Sequence, residues 1–240
     1  MGVAIPILPT NPYENPDLLA AFPEGLRPGG LALTRTALTI CQFAPNSFLL
    51  DIGCGTGVTL EFLRKEGHRV LGVDKSARLV ELASLKGPAQ PGSLDNLPVA
   101  ARAADGLFCE CVLSLAGDKA LVLAEFRRVL KLGGRLVISD MFVKNLANSQ
   151  PSKLEAPSFA PPLTCAAGAM AYPALGQLLA AAGFEVIHVQ DCLLALKSLA
   201  ASLVWRFGSL EKLAQLWPNG SLGCLNTQNL TYGLVIGQAI

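Results

Sequence analysis

Three glycines at alternate positions, Gly53, Gly55 and Gly57, follow the apolar run Phe48–Leu50 and Asp51 and precede Leu60-Glu61-Phe62-Leu63-Arg64-Lys65. That order predicts a buried strand, a turn nearly free of side-chain bulk, and a helix whose first N–H groups lack internal partners. A ligand can lie against such bare backbone. Arg69-Val70-Leu71-Gly72-Val73 is a second short apolar strand, and it ends in Asp74, 17 positions after Gly57. An acid at the carboxyl end of a neighbouring parallel strand can accept hydrogen bonds from ribose hydroxyls. The glycines alone fit another nucleotide loop or a crowded turn equally well. Their spacing, however, matches neither Gly-x-Gly-x-x-Gly nor a phosphate loop ending in Gly-Lys-Ser/Thr. Asp51 beside them is ill placed for a pyrophosphate and suits a ligand carrying a cationic amine.

Asp51-x-Gly53-x-Gly55-x-Gly57 with Asp74 resembles the class I S-adenosylmethionine-dependent methyltransferases, and the likeness runs from about Phe48 to Asp140. It continues through Leu94-Asp95-Asn96-Leu97-Pro98, similar to that family's adenine loop, and Asp105–Val112, similar to its fourth strand. Phe126–Ile138 resembles its following helix, turn and fifth strand. The resemblance implies S-adenosylmethionine as cofactor, with the glycine loop on its methionine part and Asp74 on its ribose. One position departs: the family often has an aspartate where this chain has Ser93, so serine, a backbone carbonyl or Asp95 must take the adenine amine. The candidate cofactor-binding residues are Asp51, Gly53, Cys54, Gly55, Gly57, Asp74, Lys75, Ser93, Leu94 and Glu110.

Methyl transfer from a sulfonium needs an aligned nucleophile, and the leaving thioether needs no proton. A general base is required only for an acceptor that arrives protonated. Glu110, expected at the carboxyl end of the fourth strand, is the acid–base or substrate-orienting candidate, with a structural partnership to the N-terminal segment as its rival role. His188 and His68 read as surface residues. Cys111 and Cys165 are the other catalytic candidates. Glu110-Cys111-Val112-x-Ser114-Leu115, and Cys165–Ala169 followed by a helix and Ala182-Gly183-Phe184, bear a distant resemblance to segments of the arsenite methyltransferases. That resemblance implies a thiophilic site formed by Cys111, Cys165 and Cys224; otherwise a free cysteine is a small buried hydrophobe. Cys41, Cys109 and Cys192 read as packing and Cys54 as loop filler.

Of 240 residues, 51% are hydrophobic and 15% charged, with a formal net charge of +1. This describes a globular chain whose field would not recruit nucleic acid. The proline-broken N-terminus lacks a basic leader, and no apolar run reaches about 18 residues, so neither signal peptide nor membrane span is expected. Seven cysteines without a Cys-x-x-Cys pair point to free thiols, a cytoplasmic setting and no structural metal.

The elements that must position these residues alternate strand and helix. Helices are expected over 31–41, 59–66, 76–85, 118–130 and 173–182, with a helical span over 192–217 broken near Gly208. Ser76 and Asp118 are N-caps. Leu31, Leu38 and Cys41 are expected near one stripe with Arg35 on another, and Leu121, Ala124, Val129 and other apolar positions of 118–130 to cover the sheet. Strands are expected at 48–50, 69–74, 106–112, 135–140, 184–189 and 230–236, with a short one within 86–97. The fold class is α/β, a doubly wound, seven-stranded, mostly parallel sheet; the resemblance implies an antiparallel last strand and a Rossmann-like methyltransferase fold. Residues 1–240 read as one domain, with an N-terminal cap (1–45), an active-site connection (141–172) and a helical insertion (191–225). The expected activity moves a methyl group to a small-molecule nucleophile by in-line displacement. The alternatives are an arsenite or thiol methyltransferase and a non-catalytic ligand-binding protein that keeps the fold. Oligomeric state stays open, because the greasy C-terminal helices suit core, lid or homodimer face.

Overall fold

Strand residues on alternate faces split the apolar content between two helical layers. In a computed structural model, which describes residues 12–144, 165–209 and 229–240, β1 (Phe48–Ile52) sends Leu50 and Ile52 to one face and Leu49 to the other. The pattern recurs in β4 (Ala104–Glu110), with Leu107 and Cys109 opposed to Phe108, and in β5 (Leu130–Val143), with Leu136 and Ile138 opposed to Val137. One face packs on α5 (Lys119–Val129) and α6 (Tyr172–Ala181). The other packs on α2 (Gly30–Cys41), α3 (Val58–Lys65) and the start of α7 (Leu193–Phe207). Both faces of a parallel sheet need this cover, which is why its strands read as continuous apolar runs.

The remaining strands are β2 (Arg69–Asp74), β3 (Ala89–Pro91), β6 (Met170–Ala171), β7 (Phe184–Asp191) and β8 (Leu230–Ala239), with α1 (Pro16–Ala21) and α4 (Ala77–Ser84) completing the elements used below. The sheet order is β3-β2-β1-β4-β5-β8-β7. All pairs are parallel except those of β8, which runs antiparallel to both β5 and β7. Chain order reverses between β1 and β4, so a crevice opens at the carboxyl ends of β1, β2 and β4. The residues expected to do chemistry gather there. Ser76 and Asp118 cap α4 and α5 as expected, accepting from Leu79 N at 3.1 Å and Leu121 N at 3.0 Å.

Several expectations need correction. The sheet has eight strands, because β6 joins the end of β5 in parallel at Phe142 and Val143. A two-residue strand has no periodicity for a sequence to display. β5 begins at Leu130, directly out of α5, since Leu130 is already extended and pairs with Ala104 across a register shift. Leu121 (52% exposed) and Ala124 face outward; Val122, Leu123, Phe126 and Val129 form the buried stripe. On α2 the buried positions are Leu33, Thr34, Ala37 and Cys41; Cys41 lies on the expected stripe, and Leu31 and Leu38 pack half-buried against the same core. By contrast, the expected break near Gly208 is present: α7 ends there, and the Gly208 N–H reaches back to Val204 O at 2.8 Å. The expected helical continuation to 217, the proline-rich run 151–164 and Cys224 lie outside the described residues. No helix among the described residues is long and apolar enough to cross a membrane.

Candidate functional site

The glycine loop is tied to β2 by two N–H groups, Gly53 and Cys54, that donate to Val73 O at 2.7 and 3.1 Å. All three glycines have positive φ (+71°, +52° and +75°), which disfavours side chains. Packing adds a second reason at two of them. A Cβ on Gly53 would lie 2.4 Å from Val112 Cγ2, and one on Gly57 2.9 Å from Ala83 Cα. At Gly55 a Cβ would meet nothing within 4 Å. The protein does not fill that space.

Asp74, half-buried at the end of β2, closes the loop. Its Oδ2 accepts from Gly55 N at 2.9 Å and its Oδ1 from Ser76 N at 2.9 Å. Each oxygen retains accepting capacity, so the carboxylate can hold the loop and still receive a hydroxyl. Cys54 is buried beneath the loop with its sulfur against Gly72, which is packing, and Lys75 is exposed.

Asp51 is 3% exposed, and its Oδ2 has no hydrogen-bond partner. Burial pushes its carboxyl up to about 7; Glu110 adds to the rise, while Arg27 and the Leu60 N–H oppose it. Glu110 is engaged from three sides. Thr34 Oγ1 donates to Oε1 at 2.8 Å, Thr59 Oγ1 to Oε2 at 2.7 Å, and Arg27 Nη2 lies 3.2 Å from Oε2. Arg27 Nη2 also donates to Thr34 Oγ1 at 3.0 Å, and its Nε is buried without an acceptor. Burial works against the Arg27 charge, but Glu110, Tyr232 and Asp51 outweigh it and hold the guanidinium value up. With all three ionised, the buried trio of Arg27, Asp51 and Glu110 carries one net negative charge. The partnership of Glu110 with the N-terminal segment is the rival role the sequence offered.

Cys111 follows Glu110 with φ +60°, an uncommon state for a residue with a Cβ. Its N–H donates to Ser139 O at 2.6 Å, and the turn brings its thiol into hydrogen bonding with Cys165. That bond first, then burial, raises the Cys111 thiol well above its ordinary value. Tyr13 joins the pair: burial, then Cys165 and Cys111, push its phenol up, and its hydroxyl bonds with Cys165. Two of the three thiols named from sequence therefore meet.

On the adenine-loop side, exposed Ser93 donates to Asp95 Oδ1, and Leu94 packs partly against the core. Within β5, three residues before its end, buried Asp140 is fully engaged: Ser114 Oγ and N donate to it at 2.7 and 2.8 Å, and Met141 N at 2.7 Å. Sequence reasoning assigned no individual role to Arg27, Thr34 or Thr59: the stretch 26–34 reads as a plain N-terminal cover or a contributor to the site, and nothing in the spacing ties residue 27 or 34 to residue 110.

Bare backbone at Gly55, a buried carboxylate oxygen lacking a donor and an excess of buried negative charge fit a ligand that carries ammonium and sulfonium cations. The comparisons agree. The methyltransferase domain family matches residues 50–138. The malonyl-[acyl-carrier protein] O-methyltransferase of Erwinia billingiae is 30% identical over 205 residues, 78% of this chain and 81% of that relative. The arsenite methyltransferase of Halobacterium salinarum is 30% identical over 158 residues, 61% of this chain and 39% of its own length. The chain spans about two fifths of the length of some curated methyltransferases it matches. Among solved structures, phosphoethanolamine N-methyltransferase 2 of Haemonchus contortus with S-adenosyl-L-methionine superposes with a TM-score of 0.70 at 17% identity, covering 92% of this chain and 56% of that one. That likeness speaks to the fold. This chain belongs to the class I S-adenosylmethionine-dependent methyltransferases, and S-adenosylmethionine is its cofactor.

Proposed function

We propose that this enzyme methylates a small molecule whose nucleophilic atom needs no general base. The observation that carries this reading is that the buried acids along the crevice already have other tasks. Glu110 accepts from two hydroxyls and faces Arg27, and Asp140 accepts from three donors. Asp51, whose Oδ2 is unmet, sits beside the glycine loop, where a cofactor cation would use it. We therefore assign Glu110 to positioning rather than to proton transfer.

S-adenosylmethionine, when bound, supplies a methyl group on a cationic sulfur that departs as a neutral thioether. The chain's part is to bind, orient and exclude water. Gly53, Gly55 and Gly57 offer backbone, Asp51 balances charge, Asp74 receives the ribose hydroxyls, and Ser93 with Asp95 stands in for the missing adenine-loop acid. Leu94 packs beside that loop; Cys54 supports it from below, and Lys75 borders it from outside. Residues 1–240 act as one domain, with the segment bearing Tyr13 and Arg27 as a cap over the crevice. Cofactor consumption against a panel of thiol, amine, hydroxyl and metalloid acceptors tests this reading. Methylation confined to acceptors that must first lose a proton would overturn it.

The meeting of Cys111 with Cys165 supports a second reading, in which the acceptor is trivalent arsenic. Two S–As bonds would form as two As–OH bonds break, the thiol protons leaving in two waters. Arsenite titration should show one equivalent bound, lost in Cys165→Ser. An unaltered titration in that variant removes the reading. Cys224, the third thiol named from sequence, belongs to this reading as an added ligand.

A further inference from the structure

Backbone strain and two sulfurs meet at the end of β4. Cys111 stands at φ +60°, a state that costs a residue with a Cβ, and its N–H is drawn to Ser139 O at 2.6 Å. Tyr232 Oη donates to the same carbonyl at 3.0 Å, so β5 and β8 hold the turn from behind. Strain that persists because its surroundings over-determine it points to a task for the side chain so placed. Here the turn sets the Cys111 sulfur in hydrogen-bond contact with that of Cys165, 54 positions later on the turn-rich stretch before β6. Both cysteines are half-buried and pack against the same core as Ala166 and Ala169, whereas Cys41, Cys54, Cys109 and Cys192 are buried. Methyl transfer to an acceptor that needs no base makes no use of such a pair.

Two thiols already in contact need only a small approach to reach the S–S bond length of about 2.0 Å. We propose that Cys111 and Cys165 are a reversible redox pair, joined into a disulfide by a small-molecule disulfide such as oxidised glutathione. Cys165 reacts first, since the hydrogen bond to Cys165 and burial keep the Cys111 thiol protonated. The Cys165 sulfur bonds to one sulfur of the glutathione disulfide, whose S–S bond breaks, and one glutathione leaves as a thiol with the proton from Cys165. The Cys111 sulfur then displaces the second glutathione, which takes the Cys111 proton. The protein loses two electrons and two protons, and the glutathione disulfide gains both. The new bond staples the stretch before β6 to the end of β4, next to Glu110, and withdraws both sulfurs from any thiophilic acceptor. It rests on neither reading of the acceptor, because the pair is there to be oxidised whatever atom receives the methyl group.

The test incubates the full chain, reduced and desalted, with oxidised and reduced glutathione at stepped ratios, then quenches with N-ethylmaleimide for intact mass and peptide mapping. Cys111 and Cys165 should become unreactive together, the joined peptides should carry no glutathione, and dithiothreitol should restore both thiols. Closing a loop of this length should raise Tm by roughly 5–15 °C over the reduced protein. Cys165→Ser should abolish the cross-link and the rise in Tm, and Cys165→Ala repeats the test with a second side chain in case serine disturbs the packing. A glutathione adduct that persists on either sulfur of the wild-type protein overturns the proposal. So does a cross-link from either one to Cys224 or another cysteine, or two free thiols at the highest ratio. A bond that forms with Tm unchanged, or a rise in Tm that survives in both variants, overturns the staple.

Discussion

Asp51 gives the sharpest prediction, because the same carboxyl should set opposite pH trends for the free and the ligand-bound protein. Its value stands at about 7 in the folded chain against an ordinary 3.8, chiefly through burial and then Glu110. The sign follows from proton counting. Between those values the folded state holds a proton that the unfolded state has released, so stability falls as pH rises through the window. From pH 5.5 to 7.5 the loss is about 2 kcal/mol, roughly 4–8 °C in Tm for a chain of this size. Binding runs the other way, since a cationic ligand is best received by ionised Asp51. The ionised fraction grows about 25-fold over the same interval, and the dissociation constant of S-adenosylhomocysteine should fall by that factor.

Calorimetry at half-unit steps from pH 5.5 to 7.5 measures the second trend, and melts without ligand the first. The upper bound keeps most of the ligand's own amine charged, about 60–75% even at the 7.7–8.0 of a peptide α-amine. At pH 5.5 binding should release nearly one proton, read as a dependence of the observed heat on the ionisation enthalpy of the buffer. Asp51→Asn should flatten the binding trend and weaken affinity at pH 7.5 by roughly 10- to 100-fold. A dissociation constant that is level across the window in wild type, or a slope that survives in Asp51→Asn, refutes the assignment of Asp51 to the ligand's cation.

Gly55→Ala should leave Tm within a few degrees of wild type, because the added methyl meets no protein atom and φ +52° costs a side chain about 1–2 kcal/mol. It should nonetheless abolish detectable cofactor binding; retained affinity would show that ligand does not lie there. Gly53→Ala, by contrast, should unfold the loop, since Val112 stands at 2.4 Å from the new carbon, and a melt more than 5 °C below that of Gly55→Ala checks it. Glu110→Ala should destabilise the fold by about 3–5 kcal/mol by leaving Arg27 buried and unpaired, whereas Arg27→Met/Glu110→Gln should recover most of that loss in urea titrations. Asp74→Asn should weaken S-adenosylhomocysteine and adenosine alike, because both present a ribose; selective loss of one would detach Asp74 from that sugar.

What could be read from the chain follows how local each interaction is. The glycine loop, Asp74 and the strand–helix alternation are short-range patterns, and they predict the order of elements and the place of the crevice. The antiparallel pairing of the last strand came from resemblance. By contrast, two of the α5 positions expected on the sheet, Leu121 and Ala124, are apolar yet lie on the outer face, while Val129 is buried as expected; composition does not tell the two faces apart. The ion pair between Arg27 and Glu110 spans 83 positions and has no spacing that would announce it. Its consequence was equally hidden. Read locally, Glu110 looks like a free acid at the end of a strand, a natural proton acceptor; folded, it is the anchor that fixes a guanidinium. Asp51 follows the reverse course, from one member of a loop motif to the buried acid with an unmet oxygen. The two carboxylates differ in task because one is met by donors from α2, α3 and the N-terminal segment, and the other only in part.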